Sequence, residues 1–384
     1  MNNHPIFDYA IIGAGAAGLQ LALALLEDPF FREKKLLVIE PASKTLNDRT
    51  WSFWEKGEGK FDCVVSKQWS NAAFINRQLN LEFSLAPYAY KSIRGLDFYS
   101  FSLRAIRQSS QCEYVNDEVV SVEEGDVVVI STAGGKRYQA KLVFDSRLPE
   151  AYEAQKSVFP MVLQHFKGWM VETPMPVFNE ARFTMMDFSV RKPDTTSFMY
   201  VLPHSSTKAL VEFTFFSTEL EKEEVYDAAI EKYLRDKLRI TEYKIAETEY
   251  GVIPMSSFPF HKYHSERVIK IGTAGGWVKP GSGYSFRNAM KNTERIVRNL
   301  KMGLPVTQGL CSTKHRWYDK LLLDILQREN GRGPEIFTQM YQRNTPSQIF
   351  SFLDEETTLV EDLKIISSFH PLPFIAALFR TLGR

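Results

Sequence analysis

Three glycines near the N-terminus have the spacing of a turn that binds phosphate groups. Gly13, Gly15 and Gly18 form the pattern G-x-G-x-x-G directly after the short, apolar, β-prone run Tyr9–Ile12. The first glycine allows a sharp bend from strand to helix, the second lets a pyrophosphate approach the backbone, and the third lets helix and strand pack closely. The helix predicted from Ala16 to about Leu26 points its free N–H groups and positive dipole end at the phosphates. We therefore predict a dinucleotide site formed by Gly13, Ala14, Gly15, Ala16, Ala17 and Gly18.

A second apolar strand, Leu36–Ile39, ends at Glu40, whose carboxylate can accept hydrogen bonds from a ribose hydroxyl. The alternative for Tyr9–Leu26 is an apolar helix hairpin or a membrane span, because this segment is nearly free of polar groups. Gln20 interrupts it, glycines begin it, and neither a basic segment nor a cleavage site surrounds it. The order of strand, glycines, helix, strand and acid favours a Rossmann-type unit.

A second glycine-rich loop follows the predicted strand Val268–Gly272 and precedes a helix predicted from Phe286 to about Leu300. Glycines before a helix expose backbone N–H groups to an anion or a ring carbonyl. Two such loops far apart in the chain indicate a long cofactor held at both ends, FAD rather than NAD. An ordinary glycine-rich connection is the alternative. The candidate contacts in this loop are Gly272, Ala274, Gly275, Gly276, Gly283 and Tyr284.

Two further candidates for the cofactor site are charged. Arg49 lies in the polar and aromatic run 47–54, interpreted as a loop, where it could contact a phosphate or the flavin ring. The alternative is an exposed pair of Asp48 and Arg49. Asp145 follows the predicted strand Tyr138–Phe144, a position beside the cofactor in two-domain flavoproteins, although it could also be a plain strand-end cap.

Glu212 is the candidate general acid. It lies in the second strand of a predicted antiparallel hairpin, Phe198–Leu202 and Ala209–Phe216, and strict alternation places it on one face with Thr214 and Phe216. A carboxylate on a partly apolar face lies either at a wet edge or in a buried site. Burial would favour its protonated form, which suits a general acid.

Composition narrows the class of protein. The chain of 384 residues is long enough for two lobes, and 44% hydrophobic with 24% charged residues is typical of a folded, soluble-type chain. A net charge of +1 predicts no nucleic-acid partner. Three scattered cysteines and no C-x-x-C favour a reducing, intracellular compartment and no metal. His261 and His264 are interpreted as surface residues, and the 28 phenylalanines fit either a large apolar ligand site or a heavy core.

We predict an α/β, two-lobed flavoprotein with a Rossmann-type FAD-binding domain, an antiparallel-sheet substrate domain and a helical C-terminus. The FAD-binding domain is assigned to residues 1–58, 91–150 and 262–306, and the substrate domain to 59–90 and 151–261. The helical region is 307–384. Its apolar tail could pack on the core as a lid or lie on a membrane surface.

The motifs together resemble the bacterial lycopene β-cyclases, a family of FAD-dependent carotenoid cyclases, over essentially the whole chain. Among the motifs, the 47–54 run and the second glycine-rich loop are the most specific to this family. The motifs are G-A-G-A-A-G (13–18), N-D-R-T-W-S-F-W (47–54), Q-H-F-K-G-W (164–169), F-M-Y-V-L-P (198–203), V-E-F-T (211–214), E-Y-G-V-I-P-M (249–255) and I-G-T-A-G-G-W-V-K-P-G-S-G-Y-S-F (271–286).

The resemblance implies non-redox cyclisation of lycopene and other linear carotenoids, with reduced FAD bound and NAD(P)H as the external reductant. It implies peripheral membrane attachment on the cytoplasmic side. Glu212 in V-E-F-T matches the family's acid motif, whereas Phe213 departs from its usual acidic neighbour. The acidic run 352–357 resembles a plant cyclase motif and is interpreted as a helix-start cluster. A redox flavoenzyme, either a hydroxylase or a polyprenyl reductase, and a non-catalytic flavin-binding scaffold are the alternatives.

Overall fold

A computed structural model describes residues 6–382, which form three β-sheets and ten α-helices. The strands are β1 Ile6–Ile12, β2 Leu36–Ile39, β3 Thr50–Lys56, β4 Lys67–Trp69, β5 Asn71–Ile75, β6 Asn80–Ser84, β7 Tyr88–Arg94, β8 Cys112–Val115, β9 Val119–Glu124, β10 Val128–Thr132, β11 Arg137–Asp145, β12 Met161–Glu172, β13 Arg182–Asp187, β14 Thr196–Ser205, β15 Lys208–Ser217, β16 Lys244–Ser256 and β17 Val268–Lys270. The helices are α1 Ala16–Glu27, α2 Gly95–Gln108, α3 Glu150–Gln155, α4 Glu223–Lys232, α5 Phe286–Met302, α6 Thr313–Arg328, α7 Gly333–Arg343, α8 Pro346–Leu353, α9 Leu359–Ile366 and α10 Pro371–Leu382.

The first sheet has the strand order β8-β2-β1-β11-β10-β9, with β17 also paired to β11. Strands β8, β2, β1, β11 and β17 run parallel. β2 is buried along its whole length because elements pack on both faces, which explains its continuous apolar run. Gly13 and Glu40 directly follow β1 and β2, and Asp145 ends β11. These three residues therefore meet at the carboxyl edge of the sheet, where ligands bind in open α/β folds.

The second sheet has the order β16-β12-β15-β14-β13-β5-β6 and is antiparallel except between β13 and β5. Alternation along β15 separates its two faces, as predicted. Val211, Phe213 and Phe215 pack in one core cluster with residues of α4. Glu212 and Thr214 face a cavity on the opposite side. Pro254 is accommodated because β16 is an edge strand, paired with β12 alone.

A third, three-stranded sheet has the order β3-β7-β4. The interpretation of run 47–54 as a loop is wrong from Thr50 onward, since Thr50–Lys56 forms β3 and pairs antiparallel with β7. The aromatic side chains of β3 lie on both of its faces, so its sequence lacks the alternation that marks a half-buried strand. Its partner β7 begins more than 30 residues later, beyond the reach of local patterns.

Two further predictions differ from the structure. The acidic run 352–357 does not start a helix: it begins in the last two residues of α8 and continues through the turn before α9, which Thr358 caps. His261 and His264 are half-buried rather than exposed.

The C-terminal helices α6 to α10 form the remainder of the described chain. Within residues 6–382 no single helix is long and apolar enough to cross a bilayer. Helices α9 and α10 reach that length and composition together, but they are bent by 116° at their junction. The domain boundaries stay a prediction, and the first five and last two residues of the assigned ranges lie outside the described chain.

Candidate active site

The first glycine turn has the geometry of an anion site. Gly13 has φ of +97°, and a Cβ there would collide with Oγ of Ser146. A Cβ at Gly18 would collide with the carbonyl oxygen of Gly13. Gly15, the N-cap of α1, has no atom within 4 Å of the position of a Cβ, and no side chain caps the helix. The first N–H groups of α1 therefore lie beside open space, as a bound pyrophosphate requires.

Glu40 lies against this turn. Its Oε2 accepts a hydrogen bond from the backbone N–H of Ala14 at 2.6 Å, and its Oε1 accepts one from Ala42 at 2.9 Å. Nζ of Lys44 is 3.4 Å from Oε1. The predicted ribose-binding carboxylate thus also braces the glycine turn.

The second glycine-rich loop meets the first at α1. A Cβ at Gly272 would lie 3.3 Å from Cβ of Ala17, and Gln20 donates its side-chain amide to the carbonyl of Phe286 at 3.4 Å. Gly276 has φ of +73°. A Cβ at Gly275 would lie 2.6 Å from the carbonyl oxygen of Lys270, so no larger residue fits. The two loops enclose one region, and glycines keep each loop free of side chains. This arrangement fits a long dinucleotide such as FAD.

The charged candidates are bound by other residues of the chain. Asp145 lies beside Ile12, but its carboxylate is held by Arg147 and by Nζ of Lys270 at 2.9 Å. Burial opposes its ionisation, yet these cations hold the pKa of Asp145 below its usual value. The Arg49 side chain is 65% exposed and is paired with Asp48 at 3.5 Å. These contacts place neither the Asp145 side chain nor the Arg49 side chain against the glycine turn.

Ser146 contacts the turn instead, and the sequence analysis missed it. Its Oγ donates to the carbonyl of Ile12 at 2.8 Å and lies below Gly13. The parallel register of β1 with β11 places it there, so no local sequence signal could have identified it.

An apolar cavity of about 640 Å³ lies beside the second glycine loop. Its wall is formed by β3, the second sheet, the loop before α5, and the C-terminal helices. It extends from Glu212 to Trp317 of α6 and Ile375 of α10, which are 42% and 46% exposed. The cavity therefore reaches the surface between α6 and α10. Oε1 of Gln164 is a cavity-lining, buried acceptor without a hydrogen-bond partner within residues 6–382.

Glu212 is the buried acid of this cavity. Only 6% of the residue is exposed, and Thr214 donates its hydroxyl to Oε1 of Glu212 at 2.7 Å. Burial, followed by the like charge of Glu249, raises the pKa of Glu212 well above its usual value. The protonated form is therefore favoured over a wider pH range than in an exposed glutamate, which suits a general acid.

Three tyrosines not linked by the sequence analysis surround this acid. The hydroxyl of Tyr90 lies 2.7 Å from those of Tyr200 and Tyr284, and Tyr200 is directly opposite Glu212 in the β14–β15 register. Burial raises the pKa of all three phenols well above the usual value, so they are neutral. Tyr284 was a candidate because of its loop, whereas Tyr90 and Tyr200 carry no local signal.

The rival acidic run is bound by cations. Asp354 contacts Nε of Arg287 at 2.9 Å, Glu355 contacts Nζ of Lys279 at 2.9 Å, and Glu356 contacts Nζ of Lys291 at 2.8 Å. Although burial opposes it, these lysines lower the pKa of Glu355 and Glu356. Burial raises the pKa of Asp354, so Glu355 and Glu356 are the acids of the run whose ionised form is favoured. Their ion pairs attach the α8–α9 turn to α5 and its preceding loop.

A family model described as Lycopene cyclase protein matches residues 8–380. The chain belongs to the lycopene cyclase family. It is an enzyme of the lycopene cyclase type, as the sequence motifs predicted. A lycopene beta-cyclase of Paracoccus sp. is 25% identical over 97% of this chain and 96% of the relative.

Solved structures similar to this lycopene cyclase family member confirm the fold. A geranylgeranyl bacteriochlorophyll reductase-like protein of Thermoplasma acidophilum has a TM-score of 0.60 at 12% identity, covering 96% of this chain and 97% of its own. The HpxO protein of Klebsiella pneumoniae, solved with FAD, has a TM-score of 0.60 at 15% identity over 91% and 98% of the two chains. The predicted two-lobed flavoprotein fold with a helical C-terminus is therefore confirmed.

Proposed function

We propose that this chain cyclises the ψ-end groups of lycopene to β-ionone rings, in a reaction that Glu212 starts by donating a proton. The observation that carries this proposal is a buried carboxyl group on the wall of an apolar cavity, where burial raises its pKa and favours its protonated form. Within residues 6–382, no cation forms a salt bridge with Glu212. The acids of the rival run, in contrast, are held by lysine and arginine.

The reaction needs no net electron transfer. The O–H bond of Glu212 breaks as a C–H bond forms at the end-group double bond, which leaves a carbocation. The neighbouring double bond attacks that cation and closes a six-membered ring. A ring C–H bond then breaks, its electrons form the ring double bond, and a carboxylate takes the proton. Repetition at the other end converts γ-carotene to β-carotene.

The glycine turn, Glu40 and the second glycine-rich loop would hold FAD, in keeping with the similarity to an FAD-containing structure. When bound in its reduced form, FAD supplies negative charge near the developing cation, and NAD(P)H is the proposed external reductant. The neutral rings of Tyr200 and Tyr284 exclude water and present π-faces to positive charge.

Expression of the chain in a lycopene-accumulating host tests the proposal. We expect a product of unchanged mass whose absorption moves to shorter wavelength, since cyclisation conserves atoms and places the last conjugated double bond in a ring that twists out of the plane of the polyene. Chromatography with mass spectrometry measures both properties. A mass change of two hydrogens or one oxygen would instead support a redox flavoenzyme, and unchanged lycopene under reducing conditions would support a scaffold.

We further propose that α9 and α10 attach the protein peripherally to the cytoplasmic face of a membrane. Apolar side chains on both helices are exposed, and the cavity wall continues through Phe374, Ile375 and Leu378 of α10. A water-insoluble substrate could pass from lipid into the cavity at this point. The exposed residues are Leu359, Val360, Leu363, Leu372, Ile375, Phe379 and Leu382.

The double substitution Leu372→Asp and Phe379→Asp should weaken liposome binding by at least about tenfold. Each side chain is two-thirds exposed or more, and burial of one such group in lipid contributes roughly 1.5–3 kcal/mol. Liposome flotation measures the effect. Leu220→Asp, at an exposed leucine in the loop before α4, is the matched control and should bind like the parent. Parent protein that stays wholly in solution would contradict the proposed attachment.

A further inference from the structure

A second carboxylate lies beside Glu212. Strand β12 separates β15 from β16, and Gly168 of β12 is directly opposite Glu212 on one side and Glu249 on the other. The two glutamates therefore project on the same face of the sheet, two strands apart. Thr50 of β3 donates its hydroxyl to Oε2 of Glu249 at 2.7 Å, as Thr214 does to Glu212.

Because Gly168 has no side chain, it leaves a space between the side chains of Glu212 and Glu249. A Cβ at this position would lie 3.4 Å from Cβ of Glu212 and 3.3 Å from Cγ of Glu249. It would also lie 3.0 Å from Cδ1 of Leu210. Any larger residue would therefore fill the gap between the two carboxyl groups.

We propose that Glu249 is the proton-sharing, positioning partner of Glu212, so that the two carboxyl groups hold one proton between them across Gly168. This inference rests on the proposed function. Transfer of the proton from Glu212 to the substrate leaves two adjacent carboxylates, whose mutual repulsion makes them a strong acceptor. The same pair then takes the proton released from the ring, and the site returns to its starting state without an external base.

Among residues 6–382, the groups around the pair supply no counter-charge. The titratable groups that face it are Tyr200 of β14, Tyr284 of the loop before α5 and Glu247 of β16, whose carboxylate is bound by Arg94 of β7. The tyrosines are neutral. Burial raises the pKa of Glu249 as well as that of Glu212, so the shared proton persists to higher pH than on an exposed carboxyl group and is lost as pH rises further.

Infrared titration of the purified protein without lycopene tests the pair, because a protonated carboxyl group has its own C=O absorption. In the parent we expect this band at neutral pH and its loss at alkaline pH. Glu212→Gln should leave only the band of Glu249, with its midpoint also shifted downward because the like charge of Glu212 is gone. Glu249→Gln, which removes the like charge, should shift its midpoint downward by on the order of one pH unit. The alkaline limit of cyclisation should shift in the same direction.

Glu172→Gln is the control, since this exposed carboxylate also lies on the second sheet and pairs with Lys208. It should leave the midpoint unchanged. An unchanged midpoint in Glu249→Gln would overturn the inference, as would an equal loss of activity at every pH. Gly168→Ala, which separates the carboxyl groups, should lower the midpoint too. The infrared band is measured without substrate. Failure of the inference about the carboxyl pair is therefore distinguishable from failure of the chain to cyclise lycopene.

Discussion

Replacement of Glu212 by glutamine is expected to reduce cyclisation of lycopene by about 10²- to 10⁴-fold, the usual contribution of a general acid. Glutamine matches the shape of glutamate and can still accept the hydrogen bond of Thr214, so the cavity wall should persist. It has no acidic proton to give to an alkene. The measurement is the rate of β-carotene formation by flavin-loaded protein, together with its flavin content and unfolding temperature.

Glu356→Gln is the control for this variant. Glu356 belongs to the rival acidic run, and Lys291 keeps its carboxylate ionised. Its replacement should leave the rate within a few-fold of the parent. Full activity in Glu212→Gln would remove the assigned proton donor. Loss of flavin or of folding in that variant would point to a structural role instead.

Gly15→Val is expected to weaken FAD binding by about 10- to 100-fold without unfolding the protein. Gly15 has φ of −80° and ψ of −172°, which valine adopts readily, and no atom lies within 4 Å of the added Cβ. The new side chain would occupy the space beside the N–H groups of α1. Loss of one hydrogen bond to a charged group costs about 1.5–3 kcal/mol, which corresponds to this range. Fluorescence titration of the apoprotein with FAD measures the affinity.

Two other glycine variants distinguish a loss of FAD binding from a loss of folding stability. Gly125→Val changes the exposed β9–β10 hairpin, where the nearest atom to a Cβ is 3.5 Å away, and should bind FAD like the parent. Gly18→Val should destabilise the apoprotein, since its Cβ collides with the Gly13 backbone. Parent-like FAD affinity in Gly15→Val would exclude the glycine turn as the cofactor site.

Local sequence patterns were sufficient for the first glycine unit and for the face of β15. The strand Leu36–Ile39 has the predicted bounds, and α1 ends one residue beyond the predicted end, because glycine spacing and apolar runs act over a few residues. Alternation within β15 places Glu212 and Thr214 on one face, but it left open whether that face was buried. The cofactor contacts themselves stay predictions.

Some contacts of the candidate site depend on the register between strands that are distant in the chain. The sequence could not reveal these contacts. Gly168 and Glu249 become part of the acid site only because β12 and β16 pair with β15 in one alignment. Ser146 reaches Gly13 through the β1–β11 pairing, and Asp145 is bound by Lys270, which is 125 residues away. A single sequence contains no record of such alignments.

The position of the cavity mouth beside α10 has a consequence for the order of events on a symmetric polyene. An end group that reaches Glu212 leaves the other end of the same molecule toward the surface. If the chain cyclises both ends and binds lipid as proposed, the half-finished pigment would have to withdraw, turn end for end and enter again. The yield of singly ringed product would then be set by a competition between re-entry and escape into the bilayer, and hence by how long the enzyme stays on lipid.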